Sequence, residues 1–438
     1  MRNTPIDYEI VKDKLLKSGL KGHLDIATIR EIVRLVNEIE AATGKKYIRM
    51  EMGVPGLQPP SIMIDAEIEA LRSGVAAKYP MIEGIKELKE EAARFVKLFM
   101  NIDVLPEHCV PAVGSMQSAF ALFLVINRLR EKQNKILFID PGFPVQKQQC
   151  DVLGIEYENF DIYDYRGEKL RDKLESFLKR GEFSAVLYSN PNNPTWISFT
   201  ERELQIIGEL ATKYNVVVIE DIAYFGMDFR EDISVPGEPP YQKTVANYTD
   251  NYTIMLSSSK IFSFGGERIG IIVVSPYLFN KSFPHLKNYY KTDKFGYSLI
   301  YGALYALSAG VNHSAQKALA AILKEVNEGR YNFVEGVKPY AERARIMKKL
   351  FTENGFNIVY DKDEDKPIAD GFYFTLSYPN MNTNTLIENL LYYGISAISL
   401  KITGSKREGI RACVSQVLPE YFPLLEERLK QFHKDFSN

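Results

Sequence analysis

An alternation constrains this chain more than anything else in it. Between about residues 110 and 274, short apolar runs take turns with segments of helical periodicity. The runs are Val110–Val113, Lys135–Ile139, Ala185–Ser189, Val216–Ile219, Thr253–Leu256 and Ile269–Val274, with a further one at Ile155–Asp161. Helical patterns fall at Phe120–Leu129, 168–179 and 200–213. Such an order selects an α/β fold, a mostly parallel sheet with helices on both faces. The unbroken β-branched run Val216-Val217-Val218-Ile219 reads as a strand covered on both sides. Ligands of such sheets bind beyond the carboxyl ends of the strands. The polar residues that follow the runs, Asn193, Asp221 and Lys260, are therefore expected to meet in one crevice.

The flanks read differently. Residues 7–44 carry apolar positions at helical spacing (Ile29, Ile32, Val33, Val36, Ile39) and predict one long amphipathic helix ending at Thr43-Gly44. A short strand at Ile48 runs into the Gly/Pro loop Gly53–Pro60, and helices are expected over 61–74 and from Gly84 to about Met100. Lys78-Tyr79-Pro80 breaks the interval between them, and residues 228–250 form a long loop. From about Ser314 to Glu353 the pattern is a long helix, interrupted near Gly336 or Pro339. Strands near 356–360, 371–377, 395–400 and 410–414, with helices at 383–391 and from Glu420, suggest a separate α+β domain. The acidic stretch Asp361–Lys366 reads as a solvated loop.

Composition narrows the function classes. The 438 residues suffice for two domains, and 45% hydrophobic with 25% charged residues is ordinary for a globular protein. A formal net charge of −2 argues against a large nucleic-acid footprint. The longest apolar stretch, Ala119 to Ile126, is far too short to cross a bilayer, and the first residues lack the apolar core of a signal peptide. Three scattered cysteines (Cys109, Cys150, Cys413) and five separated histidines argue against a disulfide framework or a metal centre and for a reducing, cytoplasmic setting.

Two stretches carry chemistry. In Ser257-Ser258-Ser259-Lys260, followed by Gly265-Gly266-Glu267-Arg268, a desolvated lysine can become an amine nucleophile, and the glycines let backbone approach a bound anion. Read alone, Lys260 is better taken as a solvated lysine in a polar loop. Gly114-Ser115-Met116 opens an apolar helix, where free backbone N–H groups suit a phosphate; a simple N-cap serine is the alternative.

In order and spacing the motifs resemble the fold-type I enzymes that use pyridoxal phosphate, specifically the aspartate aminotransferase-like class I and II aminotransferases. The carriers are Lys78-Tyr79-Pro80 with Gly84, Gly114-Ser115-Met116-Gln117, Asn190-Pro191-Asn192-Asn193-Pro194-Thr195, Asp221-Ile222-Ala223-Tyr224, Ser257–Lys260 with Arg268, and Arg411. Asn193 precedes Asp221 by 28 residues, Tyr224 follows it by three, and Arg268 follows Lys260 by eight.

The resemblance implies a Lys260 Schiff base to the cofactor, Asp221 at its pyridine nitrogen, and Asn193 and Tyr224 at its 3′ oxygen. It implies phosphate binding by Gly114, Ser115, Met116, Ser257, Ser259 and Arg268, with Phe143 stacked on the ring. Arg411 would take the substrate α-carboxylate, with Asn193 and Gly53 beside it, and Tyr79 would reach the site of the second subunit in a homodimer. Arg407 rivals Arg411, and Glu220 rivals Asp221. It further implies a large cofactor-binding domain over 49–312 and a smaller one from residues 1–48 and 313–438, the latter opened by the long connecting helix. The expected reaction exchanges an amino group between an amino acid and a 2-oxo acid. A C–S lyase or β-eliminating enzyme on the same scaffold, or a ligand-sensing domain without catalysis, are the competing readings.

One departure stands out. Trp196, the single tryptophan, occupies a place where the family often has glycine, and its bulk is expected to narrow or reshape the substrate pocket. No motif selects a cation for a second carboxylate among Arg30, Lys291 and Lys294.

Overall fold

The computed structural model describes residues 4–437. Among them, seven strands form the central sheet in the order Cys109–Ala112, Gly270–Val274, Tyr252–Ser257, Val217–Ile222, Phe183–Ser189, Lys135–Asp140 and Tyr157–Asp161. Gly270–Val274 runs antiparallel to both its neighbours, while the other pairings are parallel. Along Val217–Ile222 the side chains alternate between two apolar clusters. Val218 and Ile222 enter one, Val217 and Ile219 the other. The β-branched run is thus buried on both faces, with about 1.5–3 kcal/mol of transfer energy per fully buried aliphatic side chain. The carboxyl ends of four parallel strands, at Asp140, Ser189, Asp221 and Ser257, lead directly into the segments bearing Phe143, Asn193, Tyr224 and Lys260.

A second, four-stranded antiparallel sheet has the order Ile398–Ser399, Ile410–Cys413, Tyr373–Ser377 and Asn357–Ile358. The N-terminal segment joins this part of the molecule. Ile48–Arg49 pairs in parallel with Ile395–Ser396, and Arg428 donates to the carbonyls of Lys46 (2.7 Å) and Gly394 (2.6 Å).

Three expectations need correction. The single N-terminal helix is two, Tyr8–Ser18 and Ile29–Thr43. Gly19 caps the first in the left-handed region, and Thr28 starts the second through a capping box with Glu31. The long connecting helix is three pieces, His313–Asn327, Phe333–Val337 and Pro339–Glu353, and its first break lies at the left-handed Gly329. The first piece, expected to open the smaller domain, packs instead against Ser61–Arg72 and Lys86–Met100. The acidic stretch is not merely solvated. It forms a hairpin, Lys362–Asp363 against Lys366–Pro367, whose buried Asp363 pairs with Arg166 (2.8 Å) and Arg230 (2.6 Å). Among the described residues no helix is long and apolar enough to cross a membrane.

Candidate active site

Lys260 lies in the short helix Ser258–Ile261, directly after the strand Tyr252–Ser257. Ser257 caps that turn, its hydroxyl accepting from the Ser259 amide (3.2 Å), and Ser258 donates to the Ile269 carbonyl (2.7 Å). These bonds fix the lysine's backbone. Its ammonium donates to the Gly53 carbonyl and lies 5.4 Å from the centre of the Phe372 ring. Desolvation, reinforced by the positive charges of Arg411 and Arg268, pulls its pKa from 10.5 down to about 8.

Neighbouring carboxylates on one strand point to opposite faces. Asp221 accepts from Gln146 (2.9 Å) and from the Ala223 amide (3.1 Å), and burial raises its pKa to about 6. Glu220 faces the other way, taking hydrogen bonds from Tyr188 (3.2 Å), Thr244 and the Val245 amide (3.2 Å), with a pKa raised by burial to about 7. Glu220 is therefore held inside the fold, and Asp221 is the carboxylate of the strand end.

Arg411 is buried, and its hydrogen bonds go to neutral oxygens: Asn193 Oδ1 (3.3 Å) and the Glu51 carbonyl (2.7 Å). Its guanidinium lies 4.5 Å over the Tyr373 ring, and its Nε has no partner among the described residues. Arg407 is elsewhere. It pairs with Asp164 and stacks on Tyr163 and Tyr360.

The phosphate-type motif is also assembled. Gly114 starts the helix Gly114–Ile126 at φ 67°, and a Cβ there would stand 2.6 Å from Arg268 Nη2. Glycine is thus required twice, by backbone conformation and by the guanidinium pressed against it. The first amides of a helix have no intrahelical acceptor. Beside them the Ser115 hydroxyl oxygen is buried with no hydrogen-bond partner. Met116 offers its carbonyl to Gln149 (2.9 Å), and Arg268 reaches the Gly265 carbonyl (2.7 Å). Phe143 stands half-buried at the start of the helix Pro144–Leu153.

The structure thus links Gly53, Asn193, Lys260 and Arg411, and separately Gly114 with Arg268, while Tyr224 donates to Tyr373 (2.8 Å). Tyr79 is 92% exposed, away from these contacts. Lys294 spends its ammonium on the Asn280 carbonyl (2.9 Å), and Arg30 and Lys291 are exposed.

Trp196 does not stand free in the site. Its fully buried ring packs edge-on against Tyr224 (5.3 Å) and Tyr373 (6.2 Å). Its backbone has φ 66°, the left-handed conformation that suits glycine and costs other residues about 1–2 kcal/mol. Burial of the indole ring works against that cost, while its Nε1 is buried with no hydrogen-bond partner among the described residues.

Sequence reasoning missed Gln146, Tyr373 and Phe372. The two aromatics follow Asp370-Gly371 at a strand start, and Gln146 with Gln149 marks one helix face at spacing three; these were the available signals.

A desolvated lysine at a sheet's carboxyl edge, a buried carboxylate, and an anion cradle at a helix start are groups that a pyridoxal phosphate enzyme of fold type I requires. The comparisons give the particular branch. Residues 45–419 match the family model for aminotransferase class I and II, and the chain belongs to that family. A probable aspartate aminotransferase of Methanocaldococcus jannaschii is 25% identical over 369 residues, covering 76% of this chain and 91% of that protein. An LL-diaminopimelate aminotransferase of Natranaerobius thermophilus is 25% identical over 74% of this chain and 76% of its own. Among solved structures, an alanine aminotransferase from Pyrococcus furiosus superposes with a TM-score of 0.74 at 20% identity, covering 96% of this chain and 99% of that one. The protein is an aminotransferase, and its cofactor is pyridoxal phosphate. The orphaned Ser115 hydroxyl and the Gly114–Arg268 cradle fit that cofactor's phosphate.

Proposed function

We propose that the enzyme moves an amino group from an amino acid to a 2-oxo acid, with Lys260 holding the cofactor covalently through Nζ. Bound there, pyridoxal phosphate supplies an electron sink for the charge left when the substrate Cα–H bond breaks. The chain's own residues do the rest. Lys260, once released by the incoming amine, would take the proton from the substrate Cα and deliver it to the cofactor's C4′ carbon, a task suited to a pKa brought near the working pH. Asp221 holds a proton on the pyridine nitrogen, and Asn193 and Tyr224 donate to the 3′ oxygen. The Gly114, Ser115 and Met116 amides, the Ser257 and Ser259 hydroxyls and Arg268 grip the phosphate, each charge-assisted bond contributing about 1.5–3 kcal/mol. Phe143 covers the ring. Arg411 takes the substrate α-carboxylate in a planar two-pronged contact, flanked by Asn193 and Gly53. In a homodimer, Tyr79 reaches the phosphate of the second subunit's site. The three buried thiols are in keeping with a cytoplasmic setting.

One observation carries this reading. Lys260 feels both Arg268 and Arg411, and the hydrogen bonds of those two arginines go to neutral oxygens, so two positive charges beside the lysine suit two anions, a phosphate and a carboxylate. The test is a half-reaction. With an amino acid and no acceptor, the wild type should lose its visible absorbance and release one equivalent of 2-oxo acid. Lys260→Ala should show neither, with activity down at least about 100-fold. Continuous release of ammonia without an acceptor would overturn the transfer reading.

A further inference from the structure

The geometry points to Tyr373 as a positioning residue with two separable tasks: its hydroxyl sets the hydrogen-bonding direction of Tyr224, and its ring sets the plane of Arg411. This rests on Tyr224 serving the 3′ oxygen of the cofactor. Tyr373 opens the strand Tyr373–Ser377, paired antiparallel with Ile410–Cys413 so that Tyr373 faces Cys413 and Thr375 faces Arg411. On one face of such a pair, the diagonal neighbours Tyr373 and Arg411 come within reach of long side chains. The guanidinium lies 4.5 Å above the phenol ring.

The ring has little freedom. It is buried, with Trp196, Tyr224 and Phe372 packed against it at centroid distances of 6.2, 5.4 and 5.0 Å. Its oxygen fills the space above Gly53, where a Cβ would come within 2.1 Å of it, and the Gly53 carbonyl accepts from Lys260. One side chain thus touches the phenol partner, the carboxylate clamp and the backbone that receives the lysine.

The hydroxyl arithmetic gives the first task. A phenol has one proton to donate, and that of Tyr224 goes to Tyr373 (2.8 Å). For Tyr224 to donate to the 3′ oxygen its proton must leave Tyr373, and the bond between the two phenols is kept when Tyr373 turns its own proton onto Tyr224. The same hydrogen bond then persists with its direction reversed. Tyr224 becomes a stronger donor, because accepting one bond polarises the group for giving another. A stronger donor at the 3′ oxygen favours loss of the proton shared between cofactor and lysine.

The experiment compares the pH midpoint of the bound cofactor's visible absorbance, and KM for the amino acid, in the wild type and four variant holoenzymes. Tyr373→Phe should raise the midpoint by about half a pH unit and leave KM within about twofold, because the ring stays under Arg411. Tyr373→Leu should raise KM about tenfold or more. Tyr224→Phe should raise the midpoint further, and adding Tyr373→Phe to it should change nothing more. If Tyr224→Phe moves the midpoint and Tyr373→Phe does not, the Tyr373 proposal fails alone. If Tyr224→Phe does not move it, the underlying assignment of Tyr224 fails and takes this proposal with it. An unchanged KM in Tyr373→Leu overturns the second task.

Discussion

Lys260 is charged in most surroundings, and here its surroundings work against the charge. Burial removes hydration, and two arginines add repulsion, so the amine sheds its proton near pH 8 rather than 10.5. Only the neutral amine attacks a carbonyl. Loading of the apoprotein with pyridoxal phosphate should therefore accelerate about tenfold per pH unit up to about pH 8 and level off above it. Stopped-flow absorbance between about pH 6 and 10 reads this directly. A rise continuing to about pH 10 would show that the lysine is solvated, and the electrostatic account of the site would fall. Trp196 shows a second residue-scale compromise: a large side chain in a conformation that glycine would adopt freely, tolerated because its ring is wholly buried.

At the scale of elements, the strand Val217–Ile222 does two jobs by alternation, presenting Asp221 at one face and burying Glu220 at the other. Glu220 keeps its proton to about pH 7 in the folded protein, against 4.5 when unfolded. The stability this lends is complete below about pH 4.5 and lost as pH rises through 7. Glu220→Gln carries no such dependence. Relative to that variant, the wild type should lose on the order of 2–3 kcal/mol of unfolding free energy between about pH 5 and 8. Urea melts of both proteins at the two pH values check it, and a difference that stays constant would refute the buried, protonated state. The strands and the lysine turn were legible because β-branched runs and glycine punctuation are local signals. The break in the N-terminal helix was also written locally, in Gly19, Gly22 and the Thr28/Glu31 pair, but apolar periodicity on both sides masked it. Asp363 was not legible. Its partners Arg166 and Arg230 lie 197 and 133 residues away, so a charge run that looks solvated in sequence becomes a buried anchor only in the fold. Tyr373 is the same case, an ordinary strand aromatic until Tyr224 and Arg411 are brought to it.

For the whole molecule, the site is assembled from distant parts of one chain: Glu51 and Gly53 near the start, Lys260 from the sheet, Tyr373 and Arg411 near the end. Tyr79 stands apart from them. A phenol 92% exposed serves no site within its own subunit's contacts, yet it suits a site completed by a second copy. Complementation separates the two possibilities. Lys260→Ala and Tyr79→Ala proteins, each impaired alone, are unfolded together and refolded as a mixture. If Tyr79 serves the opposite subunit, each mixed dimer holds one site with both defects and one with neither, so about a quarter of wild-type activity should return at equal mixing. If Tyr79 serves its own subunit, every mixed dimer keeps one defect in each site and no activity returns. Size-exclusion chromatography with light scattering on the refolded mixture shows whether dimers formed, so the absence of recovery would count against the shared site rather than against refolding.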